Sequence, residues 1–179
     1  MAFKHRSESQ ITMNQLMLPS HSNFSGKIHG GYILNLMDQI AFACASKHSG
    51  NYCVTASVNK VDFLKPIEVG ELLTLKASVN FTGNSSMVVG LRIEAQNIQT
   101  GVTKHCNSSY FTMVAMDENG KAAKVPGLIL DSEEAVRRFA RSIRRQEESR
   151  SRDLKFTEDR FKLEEHIEVI KNHNAKITI

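Results

Sequence analysis

Hydrophobic and polar positions change their period along this chain. From Gly30 to His48 the residues run Gly-Gly-Tyr-Ile-Leu-Asn-Leu-Met-Asp-Gln-Ile-Ala-Phe-Ala-Cys-Ala-Ser-Lys-His. Apolar side chains recur there at helical spacing and on nearly every face, which predicts a helix buried on all sides rather than one laid on a surface. Ser49-Gly50-Asn51 ends it, since Gly and Asn accept the left-handed conformation that closes a helix. After that the period drops to two. Tyr52 to Phe63 alternates and is rich in β-branched residues, and Lys65-Pro66 stops it. Leu72 to Thr82 places Leu73, Leu75, Ala77, Val79 and Phe81 on one face. Met87 to Asn97 and Thr103 to Met116 follow, joined by the turn signals Gly83-Asn84-Ser85 and Gln99-Thr100-Gly101. Ahead of the helix, Thr12 to Leu18 reads as a first strand ended by Pro19-Ser20, and the polar residues 1–10 are expected to fray.

The predicted order is β–α–β–β–β–β, an α+β unit in which one curved sheet wraps one apolar helix. The four later strands most simply form an antiparallel meander. So small a sheet keeps open edges and leaves a helix flank uncovered, which predicts at least a dimer.

Charge divides the chain of 179 residues. Residues 1–130 hold 11 Lys/Arg and 8 Asp/Glu, whereas residues 131–179 hold 12 and 11 in a much shorter stretch. The expected organisation is a globular domain over 1–130 and a charged helical extension over 131–179, with Pro126 and Gly127 as the exit linker. Asp131 is the expected helix cap, with Glu134 three residues on. Ala135 to Arg152 has helical composition, and Leu163, Ile167 and Ile170 form a narrow apolar stripe suited to docking on a neighbour. Seven arginines against two glutamates between Arg137 and Arg152 raise nucleic-acid binding as an alternative. The glutamates and the second acidic block that follow favour a solvated or partner-facing helix instead, so no nucleic acid is expected.

Asn35 and Asp38 interrupt the only apolar run long enough to consider as a membrane span, so no membrane insertion is expected. The first residues lack a signal-peptide apolar region. Cys44, Cys53 and Cys106 are odd in number and show no C-x-x-C spacing, which indicates neither a disulfide frame nor a metal site and fits a reducing, cytoplasmic setting.

Asp38 is the anomaly in this pattern. A carboxylate inside an apolar helix loses hydration and must be paired, protonated or functional. Upstream lies Asn23-x-x-Gly26-x-x-x-Gly30-Gly31. Together with Asp38, with Val54-Thr55-Ala56-Ser57-Val58, Val61-Asp62-Phe63 and Lys65-Pro66, with Thr82-Gly83-Asn84-Ser85-Ser86-Met87 and with Thr112-Met113-Val114-Ala115-Met116-Asp117, it resembles the hotdog-fold acyl-CoA thioesterases, in their cytosolic acyl-CoA hydrolase branch. The resemblance runs from about Gln10 to Pro126 and excludes the tail.

That resemblance implies a helix gripped by a five-stranded antiparallel sheet, paired into homodimers and usually into hexamers built as trimers of dimers. It implies hydrolysis of acyl-CoA to a free acid and coenzyme A, with no cofactor and no metal. It also implies active sites at the dimer interface, where Asp38 on the helix of one subunit works with Asn23 on the loop of the other. Asp38 would be general base or nucleophile. Gly30 and Gly31, at the positive end of the helix, would receive the thioester carbonyl. His29 is read as pocket lining, although hydratases and dehydratases of this fold use such a histidine as base, and that activity is the enzymatic alternative. Lys65, Ser85, Ser86 and Arg92 are candidate contacts to the anionic coenzyme A, with Thr55 and Ser57 along the pantetheine path. Cys44 is expected to be a small core residue. A non-catalytic acyl-CoA sensor on the same fold is the other alternative; such regulators carry a DNA-binding domain ahead of it, and about ten residues precede the first strand here.

Overall fold

A computed structural model describes residues 2–155, 167, 170, 173–175 and 178. The chain forms two compact units, Met1–Ser142 and Ile143–Ile179. The first contains the strand β1 (Phe3–His5), the one-turn helix α1 (Arg6–Ser9), β2 (Ile11–Leu16), the long helix α2 (Gly30–Ser49), β3 (Tyr52–Val58), β4 (Glu71–Thr82), β5 (Ser86–Asn97), β6 (Thr103–Met116) and β7 (Gly127–Ile129). The helix α3 spans Glu133–Lys155. Of the apolar stripe expected in the tail, Leu163 lies outside the described residues.

Five strands make one antiparallel sheet in the order β2-β4-β5-β6-β3. It curls around α2, the arrangement of the hotdog fold. The inward residues Leu73, Leu75, Val79, Met87, Val89, Ile93, Phe111 and Met113 are at most 1% exposed and pack on Ile33, Met37, Ile40, Ala41 and Cys44 of α2. Burying each large aliphatic side chain contributes about 1.5–3 kcal/mol, so this interface dominates the fold's stability. Burial also pushes the Cys44 thiol up to about 12, which leaves it a packing group.

The strands do not form the simple meander expected from their order. β3 pairs with β6, at the opposite side of the sheet from β2, and β4 lies beyond β5. The chain crosses between these positions through residues 59–70. Backbone bonds pin that crossing: Asn59 N–H to Tyr110 O, Leu64 N–H to Cys106 O, and Ile28 N–H to Ile67 O. The predicted second strand therefore stops at Val58 instead of Phe63. Alternation continues past Val58, but the ladder partner does not.

The N-terminal residues and the segment after β6 are both tied into the first unit. β1 pairs in parallel with β7, matching Phe3 with Gly127 and His5 with Ile129. Ser9 is fully buried; its Oγ accepts from the Val79 N–H at 3.0 Å, and its carbonyl accepts from Cys44 Sγ at 3.1 Å. The expectation of a frayed N-terminus fails because polar composition conceals a small hydroxyl that satisfies core backbone. Pro126 and Gly127 are likewise part of the fold. Pro126 O bonds the buried His48 ring at 3.0 Å, and a Cβ on Gly127 would lie 2.5 Å from the Phe3 ring. The cap of α3 is Ser132, whose Oγ accepts from the Ala135 N–H at 3.2 Å. Asp131, expected in that role, instead meets His5 Nδ1 at 2.7 Å.

Candidate functional site

Helix α2 is not buried on all sides. Its sheet-facing residues are sealed, while Leu34 and Phe42 are each 38% exposed, and Gly31, Asn35, Asp38 and Gln39 lie on the same open flank. Apolar composition alone cannot distinguish a face that meets its own sheet from one left for something else. Beside this flank runs β3, the last strand of the sheet, with Tyr52 64%, Val54 37% and Val58 46% exposed. The Phe42 and Tyr52 rings meet at 5.4 Å across the gap.

Asp38 faces this open side. Its Oδ1 accepts from Thr55 Oγ1 at 2.6 Å, a short hydroxyl–carboxyl bond. The same hydroxyl lies 3.5 Å from Met113 Sδ. The register of β3 against β6 slips between Thr55 and Ser57, and a slip of this kind re-aims side chains at a sheet edge. The carboxylate is thus held by a side chain from another element, and its Oδ2 has no protein partner among the described residues. This answers the anomaly in the sequence: the charge is tolerated because it is neither sealed in the core nor free.

Asn23 braces the loop before α2. Its Oδ1 accepts three bonds, from Ser25 N–H at 3.0 Å, Ser25 Oγ at 2.7 Å and Lys27 N–H at 3.1 Å. Its backbone N–H donates to Lys27 O at 2.7 Å. Lys27 in turn pairs with Glu68 at 2.7 Å. With its oxygen committed, the Asn23 carboxamide can present only its Nδ2 donors outward, and Nδ2 has no partner among the described residues. Gly26 closes the turn at φ 77°, where a side chain would be strained.

His29 caps α2: its Nδ1 accepts from the Gly31 N–H at 3.0 Å, which requires the neutral ring with the proton on Nε2. The Gly31 donor is therefore occupied by a local partner, whereas the Gly30 N–H is not. Gly30 lies against Phe63, whose ring would meet an added Cβ at 3.3 Å. His21 stacks on Tyr32 at 3.9 Å, and the His29 N–H donates to His21 O, so the loop is tied to the helix start.

The structure brings Asp38 and Thr55 together, and it groups Asn23, His29, Gly30 and Gly31 around the helix start. It does not gather the other candidates. Ser57 is on β3, Lys65 is exposed in the crossing segment, and Ser85 and Ser86 sit at the β4–β5 hairpin. Arg92 points away from α2 and pairs with Glu94 at 2.9 Å. Two features were missed in the sequence: the Thr55 bond to Asp38, because β3 alternation gives no partner across 17 residues, and the Phe63 contact on Gly30.

Residues 25–102 match the model of the thioesterase superfamily. Protein VdlD of Helicobacter pylori is 40% identical over 139 residues, covering 78% of this chain and 79% of that protein. A hexameric acyl-CoA thioesterase, solved in its apo form, superimposes with a TM-score of 0.83 at 35% identity, covering 86% of this chain and 98% of the other. The acyl-CoA hydrolase of Staphylococcus aureus, solved with butyryl coenzyme A, coenzyme A and coenzyme A disulfide, gives a TM-score of 0.79 at 31% identity, covering 94% and 99%. That enzyme has also been solved with an aspartate, an asparagine or a threonine replaced by alanine.

Proposed function

The chain belongs to the hotdog-fold acyl-CoA thioesterases of the thioesterase superfamily, and from that premise we propose that it hydrolyses acyl-CoA to a carboxylic acid and coenzyme A, with Asp38 as the general base. The observation that carries this reading is the bond from Thr55 to Asp38 Oδ1 at 2.6 Å, which fixes the carboxylate and leaves Oδ2 open to water. The three residues replaced in the Staphylococcus aureus hydrolase stand at the same intervals along its chain as Asn23, Asp38 and Thr55 do here.

A thioester has a good leaving group, so the chemistry needs an activated water and donors for the developing oxyanion. Asp38 takes a proton as the water oxygen attacks the carbonyl carbon. The negative charge on the carbonyl oxygen is received at the start of α2 by the Gly30 N–H and, once the His29 ring turns aside, by that of Gly31. The Asn23 Nδ2 donors lie beside this end. The C–S bond then breaks, and the coenzyme A thiolate takes up the proton held by Asp38.

These groups do not meet within one chain. Gly30 and Asp38 are eight residues apart on a helix that rises 1.5 Å per residue, a separation of about 12 Å along the axis. A bound carbonyl, the attacking water and its base span roughly half of that. The site is therefore completed by a second copy, the carbonyl lying at the α2 start and Asn23 of one subunit and against Asp38 of the other. The exposed β3 edge and the Leu34–Phe42 flank are the surfaces through which the two copies pair, with a trimer of dimers as the full assembly. Thr55 and Ser57, on that edge strand, line the pantetheine path, with Lys65, Ser85 and Ser86 as contacts nearer the phosphates.

The test is a release assay for free coenzyme A across short, medium, long and aromatic acyl-CoAs. Wild type turns over at least one class, and Asp38→Ala does not while remaining assembled. Undiminished turnover in Asp38→Ala removes the mechanism. A single turnover in 18O-labelled water separates base from nucleophile: a general base puts the label directly into the product acid, whereas label in the Asp38 carboxylate shows covalent attack.

A further inference from the structure

The loop that carries Asn23 holds its side chain more tightly than the turn requires. An Asx turn is made by one bond, from the backbone N–H two residues on to the side-chain oxygen. Ser25 supplies that bond at 3.0 Å. Two more donors converge on the same Oδ1, the Lys27 N–H at 3.1 Å and the Ser25 hydroxyl at 2.7 Å. Two of the three are backbone N–H groups, which can meet only an acceptor. The carboxamide therefore has its oxygen turned into the loop and its Nδ2 turned out of it. A carbonyl oxygen has two lone pairs, and the backbone alone can fill them. Ser25 is exposed, so its hydroxyl has water to bond with; it points at Asn23 instead.

A second set of contacts runs from Lys27 back into the sheet. Its Nζ reaches both carboxylate oxygens of Glu68 at 2.7 Å, and the two residues also face each other in an isolated β-bridge. The Glu68 N–H donates to Glu71 Oε2 at 2.9 Å. Glu71, the first residue of β4, is buried, and Lys104 of β6 meets its Oε1 at 2.8 Å. A continuous chain of bonds thus ties Asn23 to the start of β4 and to β6. Stability does not account for it. A half-exposed pair such as Lys27–Glu68 adds little to folding, and a buried one such as Glu71–Lys104 is no better than a well-packed apolar pair. What the chain of bonds fixes is the direction of one carboxamide.

We infer that Ser25 and Glu68 are positioning residues for Asn23, Ser25 directly and Glu68 through Lys27. The inference rests on the reading of Asn23 as a donor to the reacting acyl group. With the Ser25 hydroxyl and the Lys27 backbone in place, the Nδ2 donors face outward. A carboxamide released from them can turn its oxygen outward, and that oxygen repels the charge developing on the thioester carbonyl. Neither Ser25 nor Glu68 is asked to touch substrate, so the effect belongs to the chemical step rather than to binding.

Steady-state release of coenzyme A, from the acyl-CoA that wild type turns over fastest, tests this on the assembled, full-length protein. Ser25→Ala is expected to lower kcat about fivefold with KM within about twofold, and Ser25→Thr, which restores the hydroxyl, to recover most of the rate. Glu68→Ala is expected to lower kcat about threefold, and Glu68→Gln, whose side-chain oxygen still accepts from Lys27 Nζ, to lower it less. In an Asn23→Ala background, with the residual rate read at high protein concentration, Ser25→Ala should cost nothing further, because no carboxamide is left to hold. Full kcat in Ser25→Ala or in Glu68→Ala overturns the inference. So does a loss confined to KM, a Thr variant as slow as Ala, or an undiminished Ser25→Ala effect in the Asn23→Ala background. A fall in melting temperature that tracks the loss of kcat across the set also overturns it, since the contacts would then serve the fold. Wild-type protein without turnover removes the hydrolysis reading, and this inference with it. Asn23→Ala at the wild-type rate removes the role of Asn23, and so this inference, while leaving hydrolysis standing.

Discussion

Replacing Thr55 by Val removes one hydroxyl and nothing else of consequence. The side chain is exposed on an edge strand, and Val is a good strand former, so folding stability should stay within about 0.5 kcal/mol of wild type. What is lost is the 2.6 Å bond to Asp38 Oδ1. A hydrogen bond to a charged group contributes about 1.5–3 kcal/mol. Because this pair faces solvent in a single chain, water can replace part of it, and the lower figure applies. About 1.5 kcal/mol corresponds to about a tenfold loss of rate. The loss should fall on kcat, since Thr55 acts through the orientation of Asp38; KM should change by less than about twofold. Thr55→Ser restores the donor and should recover most of the rate. Steady-state release of coenzyme A from a short acyl-CoA, measured on all three proteins, is the assay. An unchanged kcat in the Val variant refutes the positioning role. So does a Ser variant as slow as Val, which would mean that the methyl group, not the hydroxyl, matters.

The other predictions concern the shared site and the frame around it. Mixed assemblies of Asp38→Ala and Asn23→Ala subunits should regain part of the activity that each homogeneous variant lacks; proven mixed dimers with no recovery would place the whole site within one subunit. His48 is buried, and burial lowers its pKa from 6.5, so the folded chain holds fewer protons there than the unfolded chain. Its contribution to stability is complete above pH 6.5 and is lost as the pH falls below it. Thermal unfolding between pH 7.5 and 5 should show a steeper decline for wild type than for His48→Gln, which keeps a donor for Pro126 O; parallel curves would exclude His48 as the cause. Truncation after Ser142 should leave the melting temperature of the first unit intact. Truncation after Leu130 also removes the Phe139 ring that packs on Phe81 at 4.9 Å, at a cost of about 3 kcal/mol and roughly 10 °C. Equal midpoints would put the domain boundary near 131.

The helix, the five strands of the main sheet and the α+β class were legible because each rests on a local period. Thr103–Met116 has the same limits in sequence and in structure, and the limits of α2, β4 and β5 differ by one residue. What alternation cannot carry is partner choice. β3 reads as well beside β4 as beside β6, and only the crossing through residues 59–70 decides between them. The β1–β7 pair was invisible for a related reason: three-residue strands have no period, and their stability comes from a glycine under an aromatic ring and from a buried serine hydroxyl. At the candidate site the loop-to-helix motif pointed to Asn23, Gly30, Gly31 and Asp38 in order. It could not reveal that His29 occupies the Gly31 donor or that Thr55 grips the carboxylate, because both are facts about side-chain direction.

The length of α2 has a consequence for assembly that composition does not. A catalytic carboxylate placed near the first turn would share the helix-start donors within one chain and could work as a monomer. Asp38 lies two turns further along, beyond their reach. The flank that bears it also bears Leu34 and Phe42, beside an edge strand whose exposed residues include Tyr52, Val54 and Val58. Exposed apolar surface and unpaired strand edges are costly for a monomer, and one pairing of two copies covers both while bringing a second helix start toward Asp38. Under the proposed mechanism the same contact that stabilises the fold therefore completes the site. A substitution that blocks pairing, such as Val54→Lys on the β3 edge, should then abolish hydrolysis without touching Asp38, Asn23 or the helix start. A monomeric Val54→Lys protein with wild-type turnover, judged by light scattering and the coenzyme A release assay together, would show that one chain suffices.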